Sequence, residues 1–199
     1  MAKKAVRNPR GGRVRRSGDG AARFKAREAA ERARNVRMVI MDVDGVLTDG
    51  RAFCAGGGVE GLFFSVHDGT GITYLHRSGI RTALITGREV EAVRERARTL
   101  GISEVVQGAK VKLEAYEAVR ERSGLRDAEI AYVGDDLPDI PVMRSVGLAV
   151  AVPNAAPEVL ELAHLVTQRP GGDGAVRELA EFILKVQGKW GKIMERYSA

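Results

Sequence analysis

The sequence predicts a doubly wound parallel α/β sheet, and three observations lead to it. Short apolar segments alternate with helical segments along most of the chain, which is the order of strand–helix–strand units. Residues 36–41 form a continuously apolar run, as expected for a strand buried on both faces. Asp42, Thr86 and Asp135 each lie just beyond the C-terminal end of a predicted strand. Ligand crevices of open α/β sheets lie outside the C-terminal strand ends, so we expect these three side chains to meet.

The predicted elements follow in order from these patterns. Each predicted strand is a short apolar run, and the six runs are residues 36–41, 82–85, 104–106, 130–133, 148–152 and 165–167. The predicted helices are longer and mix charged with apolar residues, and they are residues 70–77, 89–100, 111–122, 157–163 and 175–186. Gly101 and Gly124 end two of the helices, because glycine readily adopts the left-handed conformation of a helix C-terminus. A hairpin is predicted where residues 51–54 and 59–66 flank the run Ala-Gly-Gly-Gly.

Composition excludes several classes of protein. Apolar residues make up 44% of the 199 residues, enough for a core, which excludes a wholly disordered chain. No uncharged apolar run approaches the roughly 18 residues that a membrane-spanning helix needs. The N-terminus lacks the apolar core of a secretion signal, and Cys54, the single cysteine, cannot form an internal disulfide. We therefore expect a cytoplasmic protein without a membrane partner.

The net charge of +6 divides unequally along the chain. Residues 1–35 hold 12 Lys and Arg against 3 Asp and Glu, while residues 36–199 hold 20 against 23. We predict disorder for residues 1–20, which are rich in Gly and Arg, and we expect residues 21–35 to be partly helical. The basic segment is interpreted either as a solvated extension, which we favour, or as a patch that binds nucleic acid or an anionic surface.

The first motif with chemical meaning is Asp42-Val43-Asp44-Gly45, directly after the first predicted strand. Asp42 is placed to attack phosphorus as a carboxylate nucleophile, and Asp44 to act as the general acid and base. Gly45 would let the backbone turn tightly. The alternative is an acidic loop in which Asp44 caps a helix or turn.

The second motif is Thr86-Gly87-Arg88 at another strand end. A hydroxyl and a backbone N–H at this place can hold phosphoryl oxygens, and Arg88 can bind an anionic group bidentately. The alternative is a turn in which Thr86 caps the next helix. A buried lysine near the start of the following helix would neutralise phosphate charge, and Lys110 and Lys112 are both candidates, against the alternative of a surface lysine.

The third motif is Gly134-Asp135-Asp136-Leu137-Pro138-Asp139. Three carboxylates close together after a strand repel one another unless a cation lies between them. Hard oxygen ligands beside a phosphate substrate suit Mg²⁺, so Mg²⁺ is the predicted cofactor. The alternative is an acidic loop at the favourable N-terminal end of a helix.

Together these motifs, in this order, resemble the haloacid dehalogenase-like phosphohydrolase superfamily. The resemblance implies a Rossmann-like domain over residues 36–187, followed by a tail over residues 188–199. It implies that Asp42 forms an aspartyl-phosphate, with Asp44 as general acid and base, and that Lys112 is the lysine of the site. It further implies that Thr86 and Lys112 bind the phosphoryl group. Mg²⁺ would be held by the carboxylates of Asp42 and Asp135 and by the backbone carbonyl of Asp44. Asp136 and Asp139 would support the site.

Only a hairpin flap fits between the first motif and the next helix, so no cap domain is expected. This feature and the loop Gly171-Gly172-Asp173-Gly174 resemble the capless subfamily of 3-deoxy-D-manno-octulosonate 8-phosphate phosphatases. The resemblance implies a homotetramer, a small acidic sugar phosphate as substrate, contact of Gly87 and Arg88 with it, and a role in lipopolysaccharide biosynthesis. His67 and Asp173 depart from the subfamily pattern and bear on the substrate.

From the sequence, two alternatives within the same fold remain. One is phosphatase activity on sialic-acid-type 9-phosphates. The other is a non-catalytic oligomerisation or regulatory domain of the same fold, which is disfavoured because every acid, hydroxyl and lysine of the motifs is present. A nucleic-acid-associated role through residues 1–35 is disfavoured by the slightly acidic remainder of the chain.

Overall fold

The computed structural model describes residues 18–55 and 59–198, with side chains described for residues 25–55 and 60–198. Its eight strands are β1 (Met38–Met41), β2 (Phe53–Ala55), β3 (Val59–Gly61), β4 (Arg81–Ile85), β5 (Glu104–Val106), β6 (Ile130–Gly134), β7 (Leu148–Ala151) and β8 (Leu165–Val166). Six of them form one parallel sheet in the order β5-β4-β1-β6-β7-β8. The remaining two, β2 and β3, pair antiparallel. The predicted parallel α/β sheet with a hairpin is confirmed.

The helices are α1 (Gly18–Ala33), α2 (Val66–Arg77), α3 (Glu91–Leu100), α4 (Lys112–Ser123), α5 (Ile140–Met143), α6 (Pro157–Leu162), α7 (Ala175–Val186) and α8 (Trp190–Glu195). They pack mainly in two groups, one around α2 and α7 and the other around α4 and α5. Two groups of helices are expected when both faces of a parallel sheet are covered. Short 3-10 turns at Asp127–Glu129 and Leu137–Asp139 were not predicted.

Strand β1 lies in the middle of the sheet and carries the first motif. Each of its residues is paired with β4 on one side and with β6 on the other. All four of its side chains are buried, as the continuously apolar sequence predicts. The C-terminal ends of β1, β4 and β6 therefore lie side by side, at Met41, Ile85 and Gly134.

Helix α2 begins earlier than predicted. Residues 59–66 were assigned to a strand, but β3 ends at Gly61 and α2 starts at Val66. The reason is local, since the Ser65 hydroxyl accepts a hydrogen bond from the Asp68 N–H at 3.4 Å and so caps the helix. The predicted helix ends at Gly101 and Gly124 are confirmed, with both residues in the left-handed conformation.

The C-terminal half of α1 packs against the domain. Ala29 and Ala33 are fully buried in the core, and the Arg32 side chain donates a hydrogen bond to the Gly147 carbonyl at 2.9 Å. Gln187 donates to the carbonyls of Ala33 and Val36. This part of the basic segment is therefore packed, whereas a solvated extension was favoured from its composition. Disorder was predicted for residues 1–20; residues 18–20 instead begin α1, and residues 1–17 lie outside the described part of the chain.

The C-terminal tail lies against the end of α2. Lys189 Nζ donates to the Ser78 carbonyl at 3.1 Å, and the Trp190 and Tyr74 rings meet edge to face at 5.8 Å between centroids. Ser78 precedes β4, so the tail of this chain packs near the N-terminal end of that strand, away from the three motifs. Over the residues described, no helix has both the length and the apolar character required to cross a membrane.

Candidate active site

Three carboxylates converge where β1 and β6 end. Oxygens of Asp42, Asp135 and Asp139 all lie within 4.8 Å of one another. Asp42 and Asp135 border a cavity of about 470 Å³, whose lining also includes Asp44, Gly87, Arg88, Lys110 and Lys112, whereas Asp139 is fully buried behind it. Asp42 and Asp135 therefore meet as expected although they are far apart in sequence, whereas Thr86, which was expected to join them, lies outside the lining of this cavity.

Lys112 is the cation at the centre of the acidic cluster. It is the first residue of α4, and its Nζ lies 2.9 Å from Asp42 Oδ1 and 2.7 Å from Asp139 Oδ1. Its side chain is only 7% exposed. Burial opposes its charge, but the two carboxylates outweigh burial and raise the pKa of Lys112. Of the two candidate lysines, Lys112 is thus the buried one, and Lys110 is exposed at the cavity mouth.

Asp42 is ionised only with difficulty when no cation other than Lys112 is near. Burial, followed by repulsion from Asp139, raises the pKa of Asp42 to about 8, against the opposing effect of Lys112. The same causes, burial and Asp139, raise the pKa of Asp135 to about 6. One ammonium among three carboxylates leaves a negative excess in a largely buried place.

Within the acidic cluster, Asp135 has a carboxylate oxygen that is free to bind a metal ion. Its Oδ1 is buried and has no hydrogen-bond partner among the residues described. A buried carboxylate oxygen without a donor requires a compensating cation. Oxygen-only ligands and a negative excess suit Mg²⁺. The residues present therefore fit a magnesium ion.

Asp139 has a different role because its oxygens already have partners. Oδ1 accepts from Lys112 and from the Tyr132 hydroxyl at 2.6 Å, and Oδ2 accepts the N–H groups of Asp135 at 3.1 Å and Asp136 at 3.2 Å. Tyr132 was missed by the sequence interpretation. Its signal was a tyrosine within an otherwise apolar buried strand, where a hydroxyl needs a partner. Asp136 is exposed, and its carboxylate accepts from the N–H of Leu137.

Asp44 lines the cavity and, unlike the buried Asp42, is partly exposed. Arg88 Nη1 lies 2.7 Å from Asp44 Oδ1, and Arg88 Nη2 also contacts Glu60 of β3. Neither pairing was predicted. Thr86 is buried, and its hydroxyl accepts from the Arg88 N–H at 3.4 Å. It does not cap helix α3, whose N-cap is Val90.

Glycine is required where the Asp42 loop passes Asp135. Gly45 has φ +85°, and a Cβ there would overlap the Asp135 carboxylate. The loop is held from behind by Asn154, which donates to the Gly45 carbonyl at 3.0 Å and accepts from the Gly171 N–H at 2.8 Å. Gly172 N–H donates to the Val46 carbonyl at 2.9 Å. The glycine-rich loop therefore supports the backbone of the Asp42 loop.

Helix α2 fixes the other end of the glycine-rich loop. Asp68 is buried and accepts the N–H groups of Gly174 at 3.2 Å and Arg177 at 2.8 Å, at the start of α7. Its pKa is raised by burial, against the effect of these hydrogen bonds. His67 and Asp173, the two departures from the subfamily pattern, are both exposed.

Comparison with known proteins finds relatives that belong to one family. A profile of haloacid dehalogenase-like hydrolases matches residues 69–147. The 3-deoxy-D-manno-octulosonate 8-phosphate phosphatase of Yersinia pestis is 46% identical over 164 residues, which cover 82% of this chain and 88% of the relative. The enzyme of the same name from Escherichia coli K12 is 46% identical over 158 residues, covering 79% of this chain and 84% of the relative.

Solved structures agree with the sequence relatives. The crystal structure of the Yersinia pestis phosphatase superposes with a TM-score of 0.81 at 45% identity, covering 82% of this chain and 89% of that one. The 3-deoxy-D-manno-octulosonate 8-phosphate phosphatase of Moraxella catarrhalis, in complex with a magnesium ion, a phosphate ion and a KDO molecule, superposes with a TM-score of 0.84 at 38% identity. That match covers 86% of this chain and 98% of the other.

Proposed function

The chain belongs to the haloacid dehalogenase-like hydrolases and, within them, to the 3-deoxy-D-manno-octulosonate 8-phosphate phosphatases, and from that premise we propose that it hydrolyses this sugar phosphate with Mg²⁺. The observation that carries the proposal is the buried group of Asp42, Asp135, Asp139 and Lys112 beside a cavity of about 470 Å³. Release of the free sugar acid would serve lipopolysaccharide biosynthesis.

Asp42 is the proposed nucleophile. Its carboxylate oxygen attacks phosphorus, the P–O bond to the sugar breaks, and an aspartyl-phosphate forms on Asp42. Asp44 donates a proton to the departing sugar oxygen and then takes one from the water that hydrolyses the aspartyl-phosphate. Asp44 is suited to this exchange because, unlike Asp42, it is partly open to solvent at the cavity wall.

Lys112 and Thr86 are proposed to hold the phosphoryl group. Lys112 Nζ already lies 2.9 Å from Asp42, so it favours the anionic form of the nucleophile and offers positive charge beside the phosphoryl oxygens. Asp42, the backbone carbonyl of Asp44 and Asp135 would hold Mg²⁺, which neutralises charge between the nucleophile and the phosphate when bound. Asp139 orients Lys112, and Asp136 shapes the same loop.

Phosphate release from a panel of sugar phosphates, with and without Mg²⁺, tests the proposal. The panel contains the 8-phosphate of 3-deoxy-octulosonate, sialic-type 9-phosphates and hexose phosphates. We expect Mg²⁺-dependent release from the octulosonate ester in preference to the others. Preference for a 9-phosphate would support the sialic-type alternative, which His67 and Asp173 keep open. No release from any ester, by folded protein that binds Mg²⁺, would favour the non-catalytic alternative.

We also propose that the chain forms a homotetramer in the cytoplasm. Phe53 on β2, and Phe63 and Val66 just beyond β3, are largely exposed apolar side chains close to the hairpin. A second copy would cover them. Light scattering should give four times the chain mass of 21.5 kDa, and Phe63→Ser should shift the protein toward smaller species. A wild-type monomer would contradict the proposal. Exposed Cys54 suits a reducing compartment.

A further inference from the structure

Arg88 is shared between two carboxylates from different parts of the fold. Its Nη1 lies 2.7 Å from Asp44 Oδ1, in the loop after β1, and its Nη2 contacts the carboxylate of Glu60 on β3. The three side chains are each between 28% and 39% exposed. Asp44 and Arg88 line the cavity, and Glu60 is joined to it through its contact with Arg88. Glu60 belongs to none of the three motifs, and its contact with Arg88 needs an explanation of its own.

The flap, defined as β2 and β3 (Phe53–Ala55 and Val59–Gly61), is a small hairpin outside the main sheet. Each strand has three residues, and all three side chains of β2 are exposed. The ion pair between Glu60 and Arg88 thus connects a small exposed hairpin to the wall of the cavity. An isolated two-stranded hairpin is at best marginally stable, so a single polar contact has weight in deciding its position.

Arg88 cannot bind Asp44, Glu60 and the carboxylate of a ligand equally well at the same time. A guanidinium binds a carboxylate best through two parallel N–H groups, and in this structure each Nη is engaged with a different acid. A ligand carboxylate that binds Arg88 through both Nη groups competes with Asp44 and Glu60 for them. The Asp44 loop is fixed from behind, because Asn154 holds the Gly45 carbonyl. The Glu60 carboxylate stands on a three-residue strand and has Arg88 as its one partner among the residues described, so Glu60 is the acid that yields.

We propose that Glu60 is a specificity-determining residue whose carboxylate occupies the place on Arg88 that the substrate's carboxylate takes. The inference rests on the proposed function, since it requires an acidic sugar phosphate as substrate. Binding of the substrate exchanges one carboxylate for another on Arg88 and releases the flap. After hydrolysis Glu60 competes with the carboxylate of the free sugar acid and promotes its departure.

Glu60→Gln tests the competition because it removes the charge and keeps the size of the side chain. We expect the KM for octulosonate 8-phosphate to fall about two- to five-fold, the range that one partly exposed ion pair supports. Inhibition by the unphosphorylated sugar acid should strengthen by the same factor. Hydrolysis of p-nitrophenyl phosphate, which has no carboxylate, should keep its kcat/KM.

Two further variants make the result specific. Glu91→Gln removes an exposed carboxylate on α3 that pairs with Arg94, and it should leave every constant unchanged. In an Arg88→Met background, Glu60→Gln should have no effect, because the contested guanidinium is gone. Thermal unfolding of each variant checks that the fold is retained.

The outcomes separate this inference from the proposed function. A wild-type protein that hydrolyses no acidic sugar phosphate overturns both. A wild-type protein that hydrolyses octulosonate 8-phosphate, with an equal or higher KM in Glu60→Gln, overturns the role of Glu60 alone. An equal gain toward p-nitrophenyl phosphate also overturns it, because the change would then reflect general opening of the flap and not competition for Arg88.

Discussion

The Tyr132 hydroxyl and Lys112 Nζ bind the same oxygen of Asp139, at 2.6 Å and 2.7 Å. Tyr132 is fully buried in β6 and does not itself contact the cavity. It fixes Asp139 from behind, and Asp139 in turn holds Lys112 against Asp42. Tyr132 is therefore a positioning residue that reaches the nucleophile through two intermediaries.

Tyr132→Phe should lower kcat about ten-fold, because removing one hydrogen bond to a charged group costs about 1.5–3 kcal/mol and part of that appears as misplacement of Lys112. Tyr74→Phe is the matched control, since Tyr74 donates to the Tyr197 hydroxyl at 3.2 Å beside the C-terminal tail, away from the three motifs. Both variants should lose stability in denaturant unfolding, and only Tyr132→Phe should lose kcat. Equal kcat values for the two would refute the positioning role.

Asp42→Asn should abolish turnover while the fold remains intact, because an amide cannot form the covalent phosphoryl intermediate. Burial raises the pKa of Asp42 to about 8, so the neutral amide relieves an unfavourable buried charge. We expect a melting temperature equal to or above that of the wild type without Mg²⁺. Phosphate release and calorimetry measure the two effects, and a near-normal rate would exclude Asp42 as the nucleophile.

Gly171→Ala should destabilise the protein by about 2 kcal/mol or more and lower activity, because the added Cβ would overlap the Gly45 carbonyl. The clash is backbone against side chain in a loop held by Asn154, so neither partner can move without displacing the Asp42 loop. Gly191→Ala, in α8 with no atom near its new Cβ, should be neutral or gain about 0.5–1 kcal/mol. Denaturant unfolding compares the pair, and equal stabilities would contradict the clash.

Stabilisation by Mg²⁺ should increase with pH. The pKa values of Asp42 and Asp135 are raised to about 8 and about 6 in the folded protein, above those of the unfolded chain. Without metal, the folded state holds more protons in this range, so these two groups make stability fall as pH rises toward about 8. Mg²⁺ binds the ionised carboxylates and reverses that loss.

The measurement is the rise in melting temperature on adding Mg²⁺. The rise should be larger at a pH near the pKa of Asp42, about 8, than at a pH near the pKa of Asp135, about 6. Asp135→Asn should reduce the rise at both values of pH, because it removes the unpartnered oxygen. A rise that is independent of pH would contradict the link between metal binding and these carboxylates.

The sheet and the convergence of its acids could be predicted because they follow from repeated local patterns. Each strand of the main sheet is an apolar run, and the parallel arrangement brings its C-terminal neighbours together. Asp42 and Asp135 were therefore expected to meet before the geometry was known, whereas Lys112 was chosen over Lys110 through the family resemblance. The start of α2 was missed because residues 62–66 are apolar enough for a strand, whereas the Ser65 cap decides for a helix.

The supporting contacts could not be predicted because they join residues that no local pattern relates. Asn154 meets Gly45 across 109 positions, and Glu60 meets Arg88 through the folding back of a hairpin. The burial of Ala29 and Ala33 was hidden by the charged residues around them. Side-chain partners of this kind depend on tertiary packing, whereas strand and helix patterns depend on nearest neighbours.

The central place of β1 affects how fast its backbone amides exchange their hydrogens with solvent. Amides of β1 are bonded on both sides, to β4 and β6, so they exchange with solvent only when the whole domain unfolds. The hairpin that carries Glu60 has short strands and exposed side chains, so its amides exchange through local opening. Among the residues described, we therefore expect Asp42, the proposed nucleophile, to follow one of the slowest-exchanging strands and Glu60 to lie in one of the faster-exchanging segments.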